Sequence, residues 1–218
     1  MSEVKEKNTI VKDAIILCVI TLIAGLLLGF VYEITKEPIA RAEQATKDKA
    51  YATIYSKADS FEKTEDINAL VEKSGELLND KSYTATTANY SFSGITIDEA
   101  VVAKSGSDIL GYIVMVTTPN GYGGNISIAL GVDVDGTVAG TQILTISETP
   151  GLGMNATGEF KDQFTGKKVD GFVHTKNGKT AENEVDAITS ATITTQAVTG
   201  AVNAGLYFVN NVIIENVK

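Results

Sequence analysis

Residues 126–146 read ISIALGVDVDGTVAGTQILTI, and this stretch decides the fold. Residues 126–134 and 138–146 are two runs rich in β-branched side chains. Asp135-Gly136 joins them, a pair suited to the positive-φ positions of a tight turn, so the stretch predicts a β-hairpin. Working outward, residues 96–103 alternate as a half-buried strand does. Residues 109–116 (ILGYIVMV) form a continuous apolar run that suits a strand buried on both faces. Between them and the hairpin, Pro119-Asn120-Gly121-Tyr122-Gly123-Gly124 is a turn-rich loop. Residues 160–164 suggest a short helix and Phe172-Val173 a further strand. At the far end, Ala197, Val198, Ala201, Val202, Gly205, Phe208, Val209 and Val212 recur at three- and four-residue spacing, the pattern of a core-facing helix. Thr194 and Thr195 stand before it as candidate N-caps. The fold class is therefore α+β: a twisted antiparallel sheet with helices packed against it.

Upstream of the domain, residues 14–32 (AIILCVITLIAGLLLGFVY) carry no charge, with Lys12 and Asp13 before them and Glu33 and Lys36 after. As a helix, this run spans roughly 29 Å at about 1.5 Å per residue, the thickness of a hydrocarbon core. The flank lacks the small residues of a cleavage site, which sets aside a signal peptide. Cys18 lies inside the apolar run, where it reads as a small hydrophobe rather than a lipidation site. Gly25 and Gly29 form a small-xxx-small pair, which suits either a close helix neighbour or plain tolerance in lipid. Lysines flank both sides, so charge counting leaves the orientation open. The expected segments are a tail (1–13), a transmembrane helix (14–32), a stalk helix and connection (33–81) and the domain (82–218). The stalk is expected to start at Thr35-Lys36-Glu37-Pro38, with Pro38 in its first turn.

Composition narrows the chemistry. The formal net charge of −9 makes a nucleic-acid partner unfavourable. One cysteine excludes an intrachain disulfide and a thiolate metal cluster held by this chain alone. One histidine, His174, cannot build a multi-histidine metal site, and no metal ligands or catalytic acid–base residues are assigned.

Two segments carry potential chemistry. The first is Ser147-Glu148-Thr149-Pro150-Gly151-Leu152-Gly153, where glycine permits close backbone approach to a ligand. Taken alone, the segment reads more plainly as an ordinary Pro-Gly turn. The second is Asp186-Ala187-Ile188-Thr189-Ser190-Ala191-Thr192-Ile193-Thr194-Thr195. Five hydroxyl residues in seven positions lead into the C-terminal helix, and helix N-termini attract phosphate. Threonine-rich capping is the plainer alternative.

Taken together, the segments resemble the FMN-binding domain family found in the G-type component of Rnf electron transport complexes and the C-type component of sodium-pumping NADH–quinone reductases. Thr189-Ser190-Ala191-Thr192 is similar to the family's S/T-G-A-T-like flavinylation motif, with Asp186 upstream. Glu148 to Gly153 matches its E-T-P-G-L-G segment without change. Thr35-x-x-Pro38-Ile39-Ala40 extends the likeness to the N-terminal region. Two positions depart from it: Ser190 replaces a usual glycine, and Ser147 stands where many relatives have histidine.

The resemblance implies FMN joined through its phosphate to the Thr192 hydroxyl, an ester made by a flavin transferase outside the cytoplasm. Glu148, Thr149, Gly151, Leu152 and Gly153 would line the flavin. Asp186, Thr189, Ser190 and Ala191 would shape the phosphate pocket and the transferase recognition site. It further implies a single-pass inner-membrane protein in contact with lipid, N-terminus cytoplasmic and domain external. Its partners would be the integral and peripheral subunits of an Rnf-type ferredoxin–NAD⁺ oxidoreductase coupled to Na⁺ or H⁺ translocation. The C-type component of the quinone reductase, a stand-alone anchored flavoprotein and a flavin-free structural module are the rival expectations.

Overall fold

The computed structural model describes residues 2–86 and 88–216. It comprises two compact units, Met1–Thr46 and Lys47–Lys218. One helix, α1 (Ser2–Ile54), supplies nearly all of the first unit and enters the second. In the first unit, Leu17, Leu22, Leu26 and Leu28 all stand exposed. Such a surface is stable only against lipid or a partner, and the helix is long and apolar enough to cross a membrane. The expected break at residue 35 is absent, and Pro38 lies inside the helix. The reason is local. The Thr35 hydroxyl donates back to the carbonyls of Val31 (2.9 Å) and Tyr32 (3.2 Å), so it continues the preceding turn and does not cap a new one.

In the second unit the chain forms β1 (Ser60–Glu62), α2 (Glu65–Glu72), α3 (Ser74–Leu78) and the hairpin β2 (Ser82–Ala85) and β3 (Ala88–Ser91). There follow β4 (Thr96–Ser105), β5 (Asp108–Thr118), β6 (Ile126–Asp133), β7 (Val138–Thr145), α4 (Glu159–Asp162), β8 (Val173–Thr175), β9 (Glu184–Asp186) and α5 (Thr192–Phe208). The main sheet is antiparallel with order β1-β4-β5-β6-β7, and β8 and β9 form a small parallel pair. The sheet and the domain thus begin before residue 82. β1 pairs with β4, and Ile67 and Leu78 are fully buried in the core. Residues 58–81 are accordingly part of the folded unit rather than a connection to it.

Both faces of the sheet are covered, which explains the unbroken apolar runs. On one face, Val114, Val116, Ile128, Leu130 and Val132 pack with Val198, Ala201, Val202 and Leu206 of α5. Gly205 lets that helix approach, since a β-carbon there would stand 2.9 Å from Leu130 and from Val116. α5 is apolar enough to resemble a span, but it is buried in the domain. Asn203 secures it further: its amide oxygen accepts the Phe172 amide N–H at 2.7 Å and its nitrogen donates to the Phe172 carbonyl at 2.9 Å.

The other face receives the end of α1. Ala50, Tyr51 and Tyr55 form a second core with Val101, Ile113, Met115 and Ala129. Tyr55 and Ile54 fit over glycines. A β-carbon at Gly111 would lie 2.1 Å from the Tyr55 hydroxyl, and one at Gly131 would lie 2.2 Å from Ile54 Cγ2. Glu99 pins the same turns, accepting from Lys47 Nζ at 2.8 Å, from Lys63 Nζ at 3.1 Å and from the Tyr51 hydroxyl at 3.1 Å.

This packing makes Gly131 a lock. Gly131→Ala is expected to destabilise the domain by about 1–3 kcal/mol, the usual cost of overpacking. Adding Ile54→Ala should recover part of that loss, as read by urea unfolding of the detergent-solubilised chain. Equal losses in the single Gly131→Ala and the double variant would contradict the contact.

Candidate functional site

The site forms where three segments meet at the start of α5. Residues 119–125 leave β5, residues 146–153 leave β7, and residues 187–191 lead out of β9. They enclose a cleft of about 610 Å³ lined by Tyr122, Glu148, Thr149, Leu152, Gly153, Ser190, Ala191, Thr192, Ile193 and Thr194. The volume falls within the usual range for a cofactor site. Seven of the ten residues expected from sequence therefore line one cavity. Gly151, Thr189 and Asp186 do not. Gly151 has φ +75°, which only glycine adopts freely, so it shapes the turn that presents Leu152. Asp186 turns elsewhere: its carboxylate accepts the Lys179 amide N–H at 2.7 Å and its backbone bonds Gln163 in both directions.

Glu148 is the junction of the site. Its side chain is buried, and Oε1 accepts the Gly123 amide N–H at 3.2 Å. A β-carbon at Gly121 would stand 2.9 Å from that oxygen. One at Gly153 would stand 2.6 Å from Oε2 and 2.6 Å from Thr194 Oγ1. Gly153 thus serves to pack Glu148 against α5, rather than ligand approach alone. Sequence reading missed Tyr122, Ile193 and Thr194 as lining residues. The signal for Tyr122 was its place amid three glycines, where a large exposed aromatic has no packing purpose.

The start of α5 differs from the expected caps. The N-cap is Ala191 and Thr192 is the first helical residue. Thr194 and Thr195 lie within the helix, both buried. Thr195 instead clasps the preceding turn: its Oγ1 accepts the Ile188 amide N–H at 3.0 Å and donates to the Ala191 carbonyl at 2.9 Å. The Ala191 amide donates to the Ile188 carbonyl at 3.1 Å. Within this clasp Ser190 holds φ 60°, the left-handed region, at a cost of about 1–2 kcal/mol for a residue with a β-carbon. The departure from glycine at 190 is therefore sustained by surrounding hydrogen bonds. The first amides of α5 have no acceptor within the helix, and Thr192, Ile193 and Thr194 line the cleft, a setting that favours an anion.

A second cleft of about 430 Å³ runs along the side of α5, lined by Tyr90, Asn89, Asn120, His174, Gln196 and Ile95 among others. In it the Tyr90 hydroxyl lies 2.5 Å from His174 Nδ1 and accepts the His174 amide N–H at 3.1 Å. Burial, with Lys176 nearby, holds the His174 pKa below its ordinary value, which keeps the ring neutral and able to accept from Tyr90. Among the described residues no group of three or more His, Cys, Asp or Glu side chains is placed to hold a metal.

The fold and cleft define a cofactor-binding domain on a membrane-type helix, and comparison with known proteins gives its class. Residues 121–207 match the FMN-binding domain and residues 1–54 match the RnfG N-terminal region. The G subunit of the Na⁺-translocating ferredoxin:NAD⁺ oxidoreductase complex of Acetobacterium woodii is 31% identical, over 96% of this chain and 98% of that one. The G subunit of the proton-translocating ferredoxin:NAD⁺ oxidoreductase complex of Clostridium ljungdahlii is 29% identical, over 93% of this chain and 92% of that one. The solved structure of NqrC from Shewanella oneidensis aligns with TM-score 0.42 at 23% identity, over 48% of this chain and 52% of that one. The chain belongs to the RnfG family of these redox complexes.

The Tyr90–His174 pair gives a pH dependence. The unfolded imidazole takes up a proton as pH falls through about 6.5, whereas the folded one resists. The pair's contribution is thus complete above that pH and is lost progressively below it. His174 is the sole histidine, so the window is its own. The melting temperature should fall from pH 7 to pH 5.5, and His174→Gln should flatten that fall. An identical pH slope in both chains would contradict the assignment.

Proposed function

We propose that this chain is the FMN-carrying, electron-transferring subunit of a membrane-bound ferredoxin:NAD⁺ oxidoreductase that drives Na⁺ or H⁺ translocation. The FMN is bonded through its phosphate to the Thr192 hydroxyl. The observation that carries this reading is the position of Thr192, at the first turn of α5 and lining the 610 Å³ cleft. The neighbouring hydroxyls suit the role less well. Thr195 is engaged on both sides, Thr194 is buried and Thr189 lies outside the cleft lining. Ser190 lines the cleft but is fixed in a left-handed turn.

The residues present fit the group. The open amides of α5 and the Thr192 hydroxyl suit a phosphate ester. Leu152, Ile193 and Tyr122 offer exposed apolar and aromatic surface to a flat ring. Cys18 lies in the apolar part of α1 and His174 lines the other cleft, so neither is a lining residue for ring attachment here. When bound, the flavin supplies one- or two-electron chemistry. Glu148 holds the 119–125 loop to the 146–153 loop, and Gly151 turns Leu152 into the cleft mouth. In this reading the apolar part of α1 crosses the inner membrane once, with the N-terminus cytoplasmic and the domain external. There a flavin transferase loads Thr192, and the other subunits of the complex exchange electrons with the domain.

Thr192→Val removes the hydroxyl and keeps the β-branched shape, so folding is preserved. The native chain should have the mass of the polypeptide plus one FMN less one water, and the variant the mass of the polypeptide alone. FMN retained covalently in the folded variant would refute the attachment site.

A further inference from the structure

The two clefts share a wall, and the wall is the residue next to the attachment point. Ile193 lines both the 610 Å³ cleft and the 430 Å³ cleft, and it is 49% exposed. The 119–125 loop borders both as well, with Tyr122 on the first and Asn120 on the second. The second cleft follows one face of α5 through Ile193, Gln196, Ala197 and Gly200, at helical spacings of three and four. Its floor is apolar, from Ile95, Ala197 and Gly200. Its rim carries the side-chain amides of Asn89, Asn120 and Gln196, together with the neutral His174. Side-chain amides donate and accept, and the neutral His174 ring, its Nδ1 taken by Tyr90, has Nε2–H left to donate. An apolar floor with such a rim suits a flat heterocycle whose edge mixes N–H groups, ring nitrogens and carbonyls.

We propose that the second cleft is an alternative seat for the flavin ring, so that the ring, tethered at Thr192, exchanges between two positions across Ile193. This rests on Thr192 being the attachment site. The tether decides the matter energetically. A group on a short flexible arm experiences an effective concentration of about millimolar or more at any site within reach. A cleft whose intrinsic affinity is only millimolar is then occupied in competition with solvent, and the ratio of the two clefts' intrinsic affinities sets the split between them. Untethered, the same cleft would remain empty. Two seats give the ring two sets of exposed edges from one attachment residue. Gln196 and Asn120 become positioning residues for the second seat, as Glu148 and Leu152 are for the first.

The test uses the full native chain, oxidised, in detergent micelles with labelled isoleucine and leucine methyls. Ile95 lines only the second cleft and Leu152 only the first. Nuclear Overhauser contacts from the flavin ring methyls are expected to both the Ile95 and the Leu152 methyls. Gln196→Trp fills the second cleft from the exposed side of α5 and should abolish the Ile95 contacts while keeping those to Leu152. Ring contacts to only one of the two methyl sets in the native chain would overturn the two-seat proposal. Intact mass is recorded on the same sample. A folded chain without covalent FMN would overturn the attachment reading and this proposal with it, whereas one-seat contacts on a correctly loaded chain would overturn this proposal alone.

Discussion

The candidate site depends on one buried carboxylate. Glu148 sits at the meeting point of three segments that are distant in sequence, with one oxygen on the Gly123 amide and the other packed beside Gly153 and Thr194. A buried polar group is costly unless it is hydrogen-bonded. Here the Gly123 amide N–H supplies a donor to Oε1. The requirement then propagates outward. Glycines are needed at 121 and 153 because a β-carbon at either would stand under 3 Å from Glu148. Gly123 is needed because a β-carbon would strike the Ser147 carbonyl at 1.9 Å. The E-T-P-G-L-G segment and the glycine-rich loop are in this sense a single feature folded around one side chain.

A second constraint is that the central strands are covered on both faces. α5 packs one face with its first turn at the cleft, and the end of α1 packs the other through Ile54 and Tyr55 over glycines 131 and 111. The burial and the charge of Asp133 together push the Tyr55 hydroxyl far above its ordinary pKa, so it stays neutral in the notch. The sheet that carries the cleft loops thereby also holds the final turns of α1.

Much of this was legible in the residues, and the misses have physical causes. The hairpin at 126–146 announced itself because Asp135-Gly136 supplies turn chemistry between two β-branched runs. α5 announced itself by periodicity. The cleft was legible in its two motifs, since their residues act through local backbone shape. Pro38 misled because a proline ordinarily marks a first turn, and the Thr35 hydroxyl bonding back to its own helix cannot be read from sequence. Asp186 misled because its place before the motif says nothing of its partner, the Lys179 amide on a loop folded beside it. Glycines 111 and 131 carried no signal in the sequence, and only packing shows them to be sockets for Tyr55 and Ile54. Tyr122 was passed over because a lone aromatic in a loop has no periodicity.

The central claim is that the Thr192 hydroxyl carries the FMN phosphate as an ester in the cleft at the start of α5. Its most direct measure is the phosphorus-31 resonance of the native purified chain across pH 5 to 8. A phosphate with two ester links has lost the ionisation that a free phosphate monoester shows near pH 6. One resonance at a constant shift is the predicted result. A resonance that titrates near pH 6, or a chain with no phosphorus signal, would contradict the account.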